Sequence, residues 1–278
     1  YGKEHHVTGF LARTDWEGVQ DWTCFDNLNM VNLYAIAAYA ENENTSEEEI
    51  YLRWLQGEHL LDEQLSPGQL KTCVRTVREI MDETWPIVEK TNFVNGCLFS
   101  NDSCMHLTPE QFTFIGGTHH SLSEWDPEKK DALEMSVENI AKIIEDKEEA
   151  YVKCEKLVDR VAAGNMGLTE TAYEKMKEHF EFMRWYVRGF RLTARGYCFG
   201  RYVTEKNAAD ILADGKTADV LLEETIREME KYREGLLQTT FIEKYPFDAQ
   251  LNPERVAFYT NALKRMLAQG KKVETVED

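Results

Sequence analysis

Regularly spaced apolar residues are the feature that most constrains what this 278-residue chain can fold into. Apolar side chains recur at intervals of three and four residues, which is the period of an amphipathic α-helix. The stripes run from Leu70 to Val88, from Leu133 to Val161, from Tyr173 to Tyr197 and from Leu222 to Leu236, with a last short helix from Val256 to Leu267. The second stripe passes through Val137, Ile140 and Ile144 and skips one position at Lys147. Helices of this kind joined by short loops pack antiparallel at shallow angles. We therefore expect a mainly α fold built around a helical bundle.

Capping residues mark where several of these helices should begin. Four prolines follow a residue that caps helices well, at Ser66-Pro67, Thr108-Pro109, Asp126-Pro127 and Asn252-Pro253. Gln69 lies three residues after the first of these caps, and Glu48 lies three residues after Thr45. Both spacings predict a capping box. Pro86 interrupts the first stripe and predicts a kink or break there.

The third helix is apolar on more than one face, so we expect it to lie at the centre of the bundle. Phe182, Trp185 and Tyr186 lie beside its main stripe, and core packing explains such aromatics better than a cofactor site does. The same helix carries five arginines, Arg184, Arg188, Arg191, Arg195 and Arg201. Because the chain has 50 acidic and 32 basic residues, we expect these arginines to pair with neighbouring carboxylates rather than to bind a ligand.

The net charge of −18 excludes some classes of partner. A nucleic acid or an anionic membrane needs a positive surface, so we expect neither as a main partner. No apolar run approaches the length that spans a membrane, and no signal peptide is recognisable. The sequence begins at Tyr1 rather than at Met, so its N-terminus does not indicate a compartment.

Cysteine and histidine spacing predicts neither a disulfide scaffold nor a metal site. The six cysteines are widely scattered and form no CxxC pair, although Cys97 and Cys104 flank a loop and could pair. The adjacent histidines at 5–6 and 119–120 point their side chains apart in an extended segment, whereas metal ligands must converge. No phosphate-binding loop and no GxSxG elbow is present. We expect no cofactor.

The front of the chain differs from the rest. The segment "VTGFLART", residues 7–14, has the β-branched and aromatic content of a buried strand. Residues 25–42 then predict a helix rich in alanine. One strand and one helix cannot bury each other alone, so the remaining strands must lie upstream or in another chain.

The loop after this predicted strand holds the candidate site residues Arg13, Asp15, Trp16, Glu17 and Trp22. Barrel enzymes keep their site residues at the C-terminal ends of strands. Glycoside hydrolysis uses two carboxyl groups about 5–10 Å apart, and a tryptophan ring can stack on a sugar. The alternative is that these are ordinary loop acids beside two partly buried tryptophans.

The order of segments resembles a known family. "VTGFLART", then Asp21-Trp22-Thr23, then "NMVNLYAIAAYAENENTSEEEIYLRWL" resembles the C-terminal third of family 67 glycoside hydrolases, the bacterial and fungal α-glucuronidases. The run from Asn32 to Ala35, followed by residues 45–50 and Trp54, is the most similar part. The later segment "IMDETWPIVEKTNFVNG" is similar to the family's passage from helix to loop. The loop "DWEGVQDW" departs from the family, which has a glycine- and asparagine-rich loop there.

This resemblance implies that the chain is a C-terminal piece of a larger enzyme. Residues 1–60 would be the last β/α unit of a (β/α)8 barrel, and residues 61–278 an all-helical C-terminal domain with an irregular loop at 93–125. The family's catalytic acid and base carboxylates lie on earlier barrel strands and have no counterpart here. The catalytic residues are therefore unknown, and whether this chain is itself an enzyme is left open.

Three hypotheses of function follow. In the first, the chain is the C-terminal part of a carbohydrate-active enzyme that acts on a sugar from a plant or bacterial polysaccharide, a uronic acid among the candidates. Arg13 and its loop neighbours would line one side of the sugar site, with the guanidinium able to pair with a substrate carboxylate. The helical domain would support the barrel or form a homodimer. In the second, the chain is a non-enzymatic interaction module whose front strand completes a partner's sheet. In the third, the aromatic-rich helix at 173–202 binds a small molecule.

Overall fold

A computed structural model of the chain describes residues 28–95, 97–98, 114–115, 120–121, 131, 134–244 and 251–274. These residues are mainly helical, as the apolar stripes predict. The strand predicted at residues 7–14 lies outside them. The end of a (β/α)8 barrel therefore remains a prediction.

The described helices and strands alternate unevenly along the chain. The helices are α1 (Met30–Glu41), α2 (Glu47–Gly57), α3 (Pro67–Asp82), α4 (Thr84–Asn92), α5 (Val137–Ala162), α6 (Glu170–Glu205), α7 (Ala218–Leu236), α8 (Phe241–Lys244) and α9 (Pro253–Glu274). The strands are β1 (Phe93–Val94), β2 (Cys97–Leu98), β3 (Phe114–Ile115), β4 (His120–Ser121), β5 (Ile211–Ala213) and β6 (Lys216–Thr217). The described strands form short antiparallel pairs, β1 with β2, β3 with β4, and β5 with β6. Two of these pairs lie within the loop predicted at residues 93–125.

The chain divides into two compact units. Unit 1 holds the described residues up to Ile80 together with Ala163–His179. Unit 2 holds the described residues of Met81–Ala162 and those from Phe180 onward. Helix α6 therefore contributes residues to both units. The predicted division at residue 60 stays a prediction.

In unit 1, α1 and α2 pack as a helical hairpin. The hydroxyl of Tyr34 donates a hydrogen bond to the carboxylate of Glu58 over 2.9 Å. The Tyr34 ring occupies the space that a side chain at position 57 would need. A Cβ built at Gly57 would lie 2.2 Å from the phenol oxygen of Tyr34. A glycine at this position therefore lets the ring lie against α2.

The start of α2 lies one residue beyond the predicted capping box. Ser46 is the N-cap, and its hydroxyl accepts a hydrogen bond from the backbone N–H of Glu49 over 3.2 Å. The hydroxyl of Thr45 donates instead to the carbonyl of Asn42 over 2.7 Å. The box predicted from Thr45 and Glu48 is thus wrong, because Thr45 closes the turn that follows α1.

The capping box predicted at α3 is confirmed. The backbone N–H of Ser66 donates to the side-chain oxygen of Gln69 over 2.9 Å, and the N–H of Gln69 donates back to the Ser66 hydroxyl over 3.4 Å. The break predicted near Pro86 is also confirmed, since α3 ends at Asp82 and α4 begins at Thr84.

Within unit 2, α6 lies at the centre of the bundle, as its all-round apolar pattern predicts. Val187, Phe190, Ala194 and Tyr197 are each 1% exposed or less. Helix α9 approaches α6 closely at Gly196, where a Cβ would come 2.7 Å from Leu263. The missing side chain is therefore what allows the two helices to touch.

Helix α9 begins where the sequence predicts but ends later. The side chain of Asn252 accepts hydrogen bonds from the N–H groups of Glu254 and Arg255 over 2.9 and 3.2 Å. The predicted end at Leu267 is wrong, because the helix continues to Glu274. Gly270 allows this extension to lie against α6, since a Cβ there would come 2.3 Å from Val203.

Candidate functional site

The sugar-site residues predicted from the sequence, Arg13, Asp15, Trp16, Glu17 and Trp22, lie outside the described residues. The described part of the chain contains no group of three or more His, Cys, Asp or Glu side chains that could hold a metal ion. Among the described helices, none is long and apolar enough to cross a membrane. Candidate sites must therefore be sought on the helices.

Helix α1 exposes an unusual amount of apolar surface. No charged residue occurs in it before Glu41, yet Val31 and Ala38 are its buried residues. The side chains of Ile36 and Tyr39 are 39% and 45% exposed. We call the face formed by Ile36, Ala37, Tyr39 and Ala40 the α1 surface. A helix that is apolar on every side is normally buried on every side, so this surface is suited to contact another folded body.

A second feature is a row of arginines on α6 between α5 and α7. Arg184, Arg188, Arg191 and Arg195 follow one another at spacings of four, three and four residues, which places them on one face of the helix. We call these four residues the arginine ladder.

Arg191 and Arg195, at the C-terminal end of the arginine ladder, pair with glutamates from both flanking helices. Arg195 contacts both carboxylate oxygens of Glu228 on α7 over 3.1 Å. Arg191 donates to Glu148 on α5 over 2.6 Å and also approaches Glu228 at 3.5 Å. The arginine side chains are only 17% and 11% exposed for Arg191 and Arg195. Such sheltered pairs join α5, α6 and α7 more firmly than exposed ion pairs would.

Arg184, at the N-terminal end of the arginine ladder, is also paired with glutamates. Arg184 donates to Glu181 on its own helix and lies 3.9 Å from Glu155 on α5. Further along α6, outside the ladder, Arg201 pairs with Glu205 over 2.5 Å. The prediction that these arginines pair with carboxylates is therefore confirmed for Arg184, Arg191, Arg195 and Arg201.

Arg188 is the exception. Its guanidinium lies 5.5 Å from the ring centre of Trp185 and 5.6 Å from that of Tyr232, and the two rings are 5.4 Å apart. Among the described residues, no carboxylate pairs with it. The Arg188 guanidinium faces the ring of Tyr232 on α7, whereas the ring of Tyr151 on α5 lies 5.0 Å from the guanidinium of Arg191. On α5, Tyr151 lies between Glu148, which pairs with Arg191, and Glu155, which approaches Arg184.

The rings beside Arg188 are fixed by their own hydrogen bonds. The indole N–H of Trp185 donates to Glu181 over 2.9 Å, and the hydroxyl of Tyr232 donates to the backbone carbonyl of Trp185 over 3.0 Å. Fixed rings hold a guanidinium over their faces at little further entropic cost. The arrangement is therefore a preformed cationic position bordered by aromatic surface.

Lys147 on α5 is a second buried cation with a defined role. Its side chain is 1% exposed, and its ammonium donates hydrogen bonds to the backbone carbonyls of Lys90, Thr91 and Phe93 at the end of α4. The bond to Thr91 is 2.8 Å long. Burial lowers the pKa of Lys147 from its ordinary value to about 7. A cation at the negative end of a helix satisfies carbonyls that the helix leaves without donors, so Lys147 ties α4 to α5.

Unit 1 contains an open cleft of about 550 Å³. It is lined by Asp62, Leu65, Gly68, Gln69, Thr72, Thr76, Asn165, Met166 and Gly167. The carboxylate of Asp62 accepts from the N–H of Gln64, and the amide oxygen of Asn165 accepts from the N–H of Gly167. The side-chain oxygen of Gln69 belongs to the capping box of α3. These polar groups build the turns that form the walls of the cleft, which explains their presence without a ligand.

The buried cysteines are unsuited to nucleophilic chemistry. Burial raises the pKa of Cys73 to about 11 and the pKa values of Cys154 and Cys198 to about 12. A thiol with so high a pKa carries almost no thiolate near neutral pH. These three side chains therefore act as small apolar groups in the core.

Comparison with known proteins gives no match: no family model, no curated protein and no solved structure is significantly similar to this chain. The resemblance to α-glucuronidases therefore remains a prediction that rests on the quoted segments.

Two of these features are absent from the sequence-based expectations. Lys147 interrupts an apolar stripe, and a lysine there gave no sign that it would be buried. The aromatic surroundings of Arg188 could be predicted only by comparing the residues that flank each arginine on neighbouring helices. That comparison requires knowing which helices pack together. The sequence contains the residues, whereas the pairing is tertiary information.

Proposed function

We propose that this chain is a helical domain that packs against a second folded body through the α1 surface. We further propose that this body is the (β/α)8 barrel of a carbohydrate-active enzyme, which carries the catalytic carboxylates. The observation that supports this is the exposed apolar face of α1, with Ile36 and Tyr39 unburied in a helix that has no charged residue before its last position.

The composition of α1 suits the outer helix of such a barrel. A barrel helix packs on the sheet with one face and on neighbouring helices with two others, so it is apolar over much of its circumference. Four alanines, Ala35, Ala37, Ala38 and Ala40, give α1 a thin profile. Thin helices approach a sheet closely, because little side-chain volume intervenes.

The ladder carboxylates suit a supporting domain better than a hydrolytic centre. Glu148 and Glu228 are both bonded to arginines that join three helices of unit 2. A general acid or base must instead be within reach of a substrate. We therefore expect the isolated chain to lack glycosidase activity, and the described helices to contribute stability to the assembled enzyme.

The length of the natural protein tests this proposal first. Mass spectrometry of the intact protein isolated from its source should give a polypeptide about 250 residues longer than these 278, enough for a barrel. That longer protein should cleave aryl glycosides, and the 278-residue chain alone should not. If the natural protein has no further domain, the partner must be a separate chain, and the barrel part of the proposal is wrong.

Substitution on the α1 surface tests the docking step itself. The double variant Ile36→Glu/Tyr39→Glu should separate the helical domain from its barrel, or reduce self-association of the isolated chain. Val152→Glu on α5 is the matched control, since Val152 is 48% exposed and also apolar. Equal behaviour of the two variants in light scattering and in dye binding to apolar surface would remove the support from α1.

A further inference from the structure

We propose that Arg188 anchors a binding site for the carboxylate group of a small molecule, beside the rings of Trp185 and Tyr232 in unit 2. This inference concerns residues of unit 2 and does not depend on the partner of the α1 surface. It follows from the arginine ladder, in which Arg188 alone lies at a level without a glutamate.

The choice of flanking residues supports the site. Glutamates occur along both α5 and α7, and Glu148 on α5 and Glu228 on α7 partner Arg191 and Arg195. Next to Arg188 lie the rings of Trp185 and Tyr232, and among the described residues no glutamate pairs with its guanidinium. The Arg188 guanidinium therefore keeps its N–H donors beside two uncharged rings, while Glu155 and Glu181 are engaged with Arg184. Within the arginine ladder, Arg188 is the one member that pairs with no carboxylate of the described residues.

The geometry favours a planar anion. Stacking on aromatic faces uses the flat surface of a guanidinium and leaves its N–H edge available. That edge matches a carboxylate, which accepts two parallel hydrogen bonds from it. The bound carboxylate would complete the ladder by pairing with Arg188, as Glu228 pairs with Arg195.

Neighbouring groups narrow the ligand class. Glu155 and Glu181 lie at the next level of the ladder, where they contact Arg184, and they repel an anion of high charge. A single negative charge is therefore favoured over a phosphate dianion. Trp185 lies 5.4 Å from Tyr232 and 6.4 Å from Phe241, measured between ring centres. These rings provide apolar contact for a flat group attached to the carboxylate, so an aromatic carboxylate should bind better than acetate.

Titration with benzoate at low ionic strength tests the site, with acetate and inorganic phosphate as comparison ligands. We expect millimolar binding of benzoate by calorimetry, and a matching shift of the Arg188 side-chain resonance. Arg188→Met should weaken binding at least tenfold. Arg227→Met is the control, because Arg227 lies on α7 with its side chain 60% exposed and its contact to Glu223 is 4.0 Å long.

A second variant keeps the test decisive if Arg188→Met fails to fold. Tyr151→Glu places a carboxylate at the level of Arg188 from within the chain, so it should compete with benzoate and abolish its binding. Tyr151→Phe should leave binding within about twofold of the unmodified chain. Unmodified chain that binds no benzoate, or Tyr151→Glu that binds it normally, would overturn the proposal. Phosphate binding equal to that of benzoate would overturn the assigned ligand class.

Discussion

Trp185 on α6 occupies the volume that a side chain at position 235 on α7 would need. A Cβ built at Gly235 lies 2.6 Å from the indole carbon Cη2 of Trp185. The contact matters because Trp185 also forms one wall of the position where Arg188 lies. A single glycine on α7 thus determines how the rings beside Arg188 are arranged.

Gly235→Ala should therefore destabilise the protein. Alanine favours a helix over glycine by up to about 1 kcal/mol, but the forced displacement of the Trp185 ring costs about 1–3 kcal/mol. We expect net destabilisation in urea unfolding, with a change in tryptophan emission. Gly68→Ala is the control, since nothing lies within 4 Å of a Cβ there, and it should be neutral or stabilising.

Lys147→Met should weaken the connection between α4 and α5. The substitution keeps the volume of the side chain but leaves the carbonyls of Lys90, Thr91 and Phe93 without their donor. We expect a loss of about 1–3 kcal/mol in the free energy of unfolding. Lys156→Met on the exposed side of the same helix should change it by less than about 0.5 kcal/mol. An equal effect of the two variants would refute the capping role.

The pKa of Lys147 predicts a particular dependence of stability on pH. Its value of about 7 in the folded protein lies below the ordinary 10.5, so unfolding takes up a proton between these two pH values. The free energy of unfolding therefore gains a contribution that rises with pH, by at most about 1.4 kcal/mol per pH unit. The contribution is the difference between the unmodified chain and Lys147→Met, measured by unfolding from pH 6 to pH 9. A difference that stays constant over this range would contradict the lowered pKa.

The comparison with Lys147→Met is needed because the buried cysteines change the free energy of unfolding with pH in the opposite direction. The pKa values of Cys73, Cys154 and Cys198 are raised above 9, so these thiols stay protonated in the folded state after the unfolded chain has lost their protons. Their contribution lowers stability as the pH rises above about 9. The contributions of Cys73 and Cys154 are common to the unmodified chain and the variant, and they cancel. Cys198 interacts with Lys147, so the comparison is made below about pH 9, where this thiol stays protonated in both states.

Arg195→Met should cost more stability than Arg53→Met. The Arg195 side chain is 11% exposed and contacts both oxygens of Glu228, whereas the Arg53 side chain is 44% exposed and pairs with Glu41 and Glu49. A sheltered pair is screened less by water and salt than an exposed one. We expect about 1–3 kcal/mol for Arg195→Met and under about 1 kcal/mol for Arg53→Met. Adding salt should reduce the smaller effect more, in proportion, than the larger one.

Gly167→Ala should destabilise unit 1 through its backbone. Gly167 has a φ of +95°, and a Cβ there would lie 3.1 Å from Leu65 and 3.3 Å from Cys73. Strain and crowding together should cost about 1–3 kcal/mol. Gly164→Ala is the matched control in the same connection, since nothing lies within 4 Å of its Cβ. Similar stability of the two variants would indicate that the turn relaxes freely.

The helices were largely predictable because their signals are local. The stripe of α7 at Leu222, Ile226, Met229 and Leu236 is buried as predicted. Apolar spacing and capping residues act within one or two helical turns, so the local sequence contains the interactions that determine where each helix forms.

The register of α5 was less predictable. The stripe predicted through Val137 and Ile144 is wrong at those two positions, since Val137 is 46% exposed and Ile143 rather than Ile144 is buried. Its buried residues instead follow the order Ile140, Ile143, Lys147, Ala150 and Cys154. Lys147 therefore lies in the stripe that it was expected to interrupt. Its burial depends on the carbonyls at the end of α4, which the sequence of α5 does not contain.

The sequence by itself determined the mainly helical fold, the starts of α3 and α9, the break before α4 and the burial of most apolar stripes. The tertiary structure decided which arginines meet glutamates, that Arg188 meets aromatic rings, and that Lys147 lies among carbonyls. The physical reason is the range of the interactions. Helix periodicity and capping act between residues a few positions apart, whereas the partner of a charged side chain is set by helices far away in sequence that pack beside it.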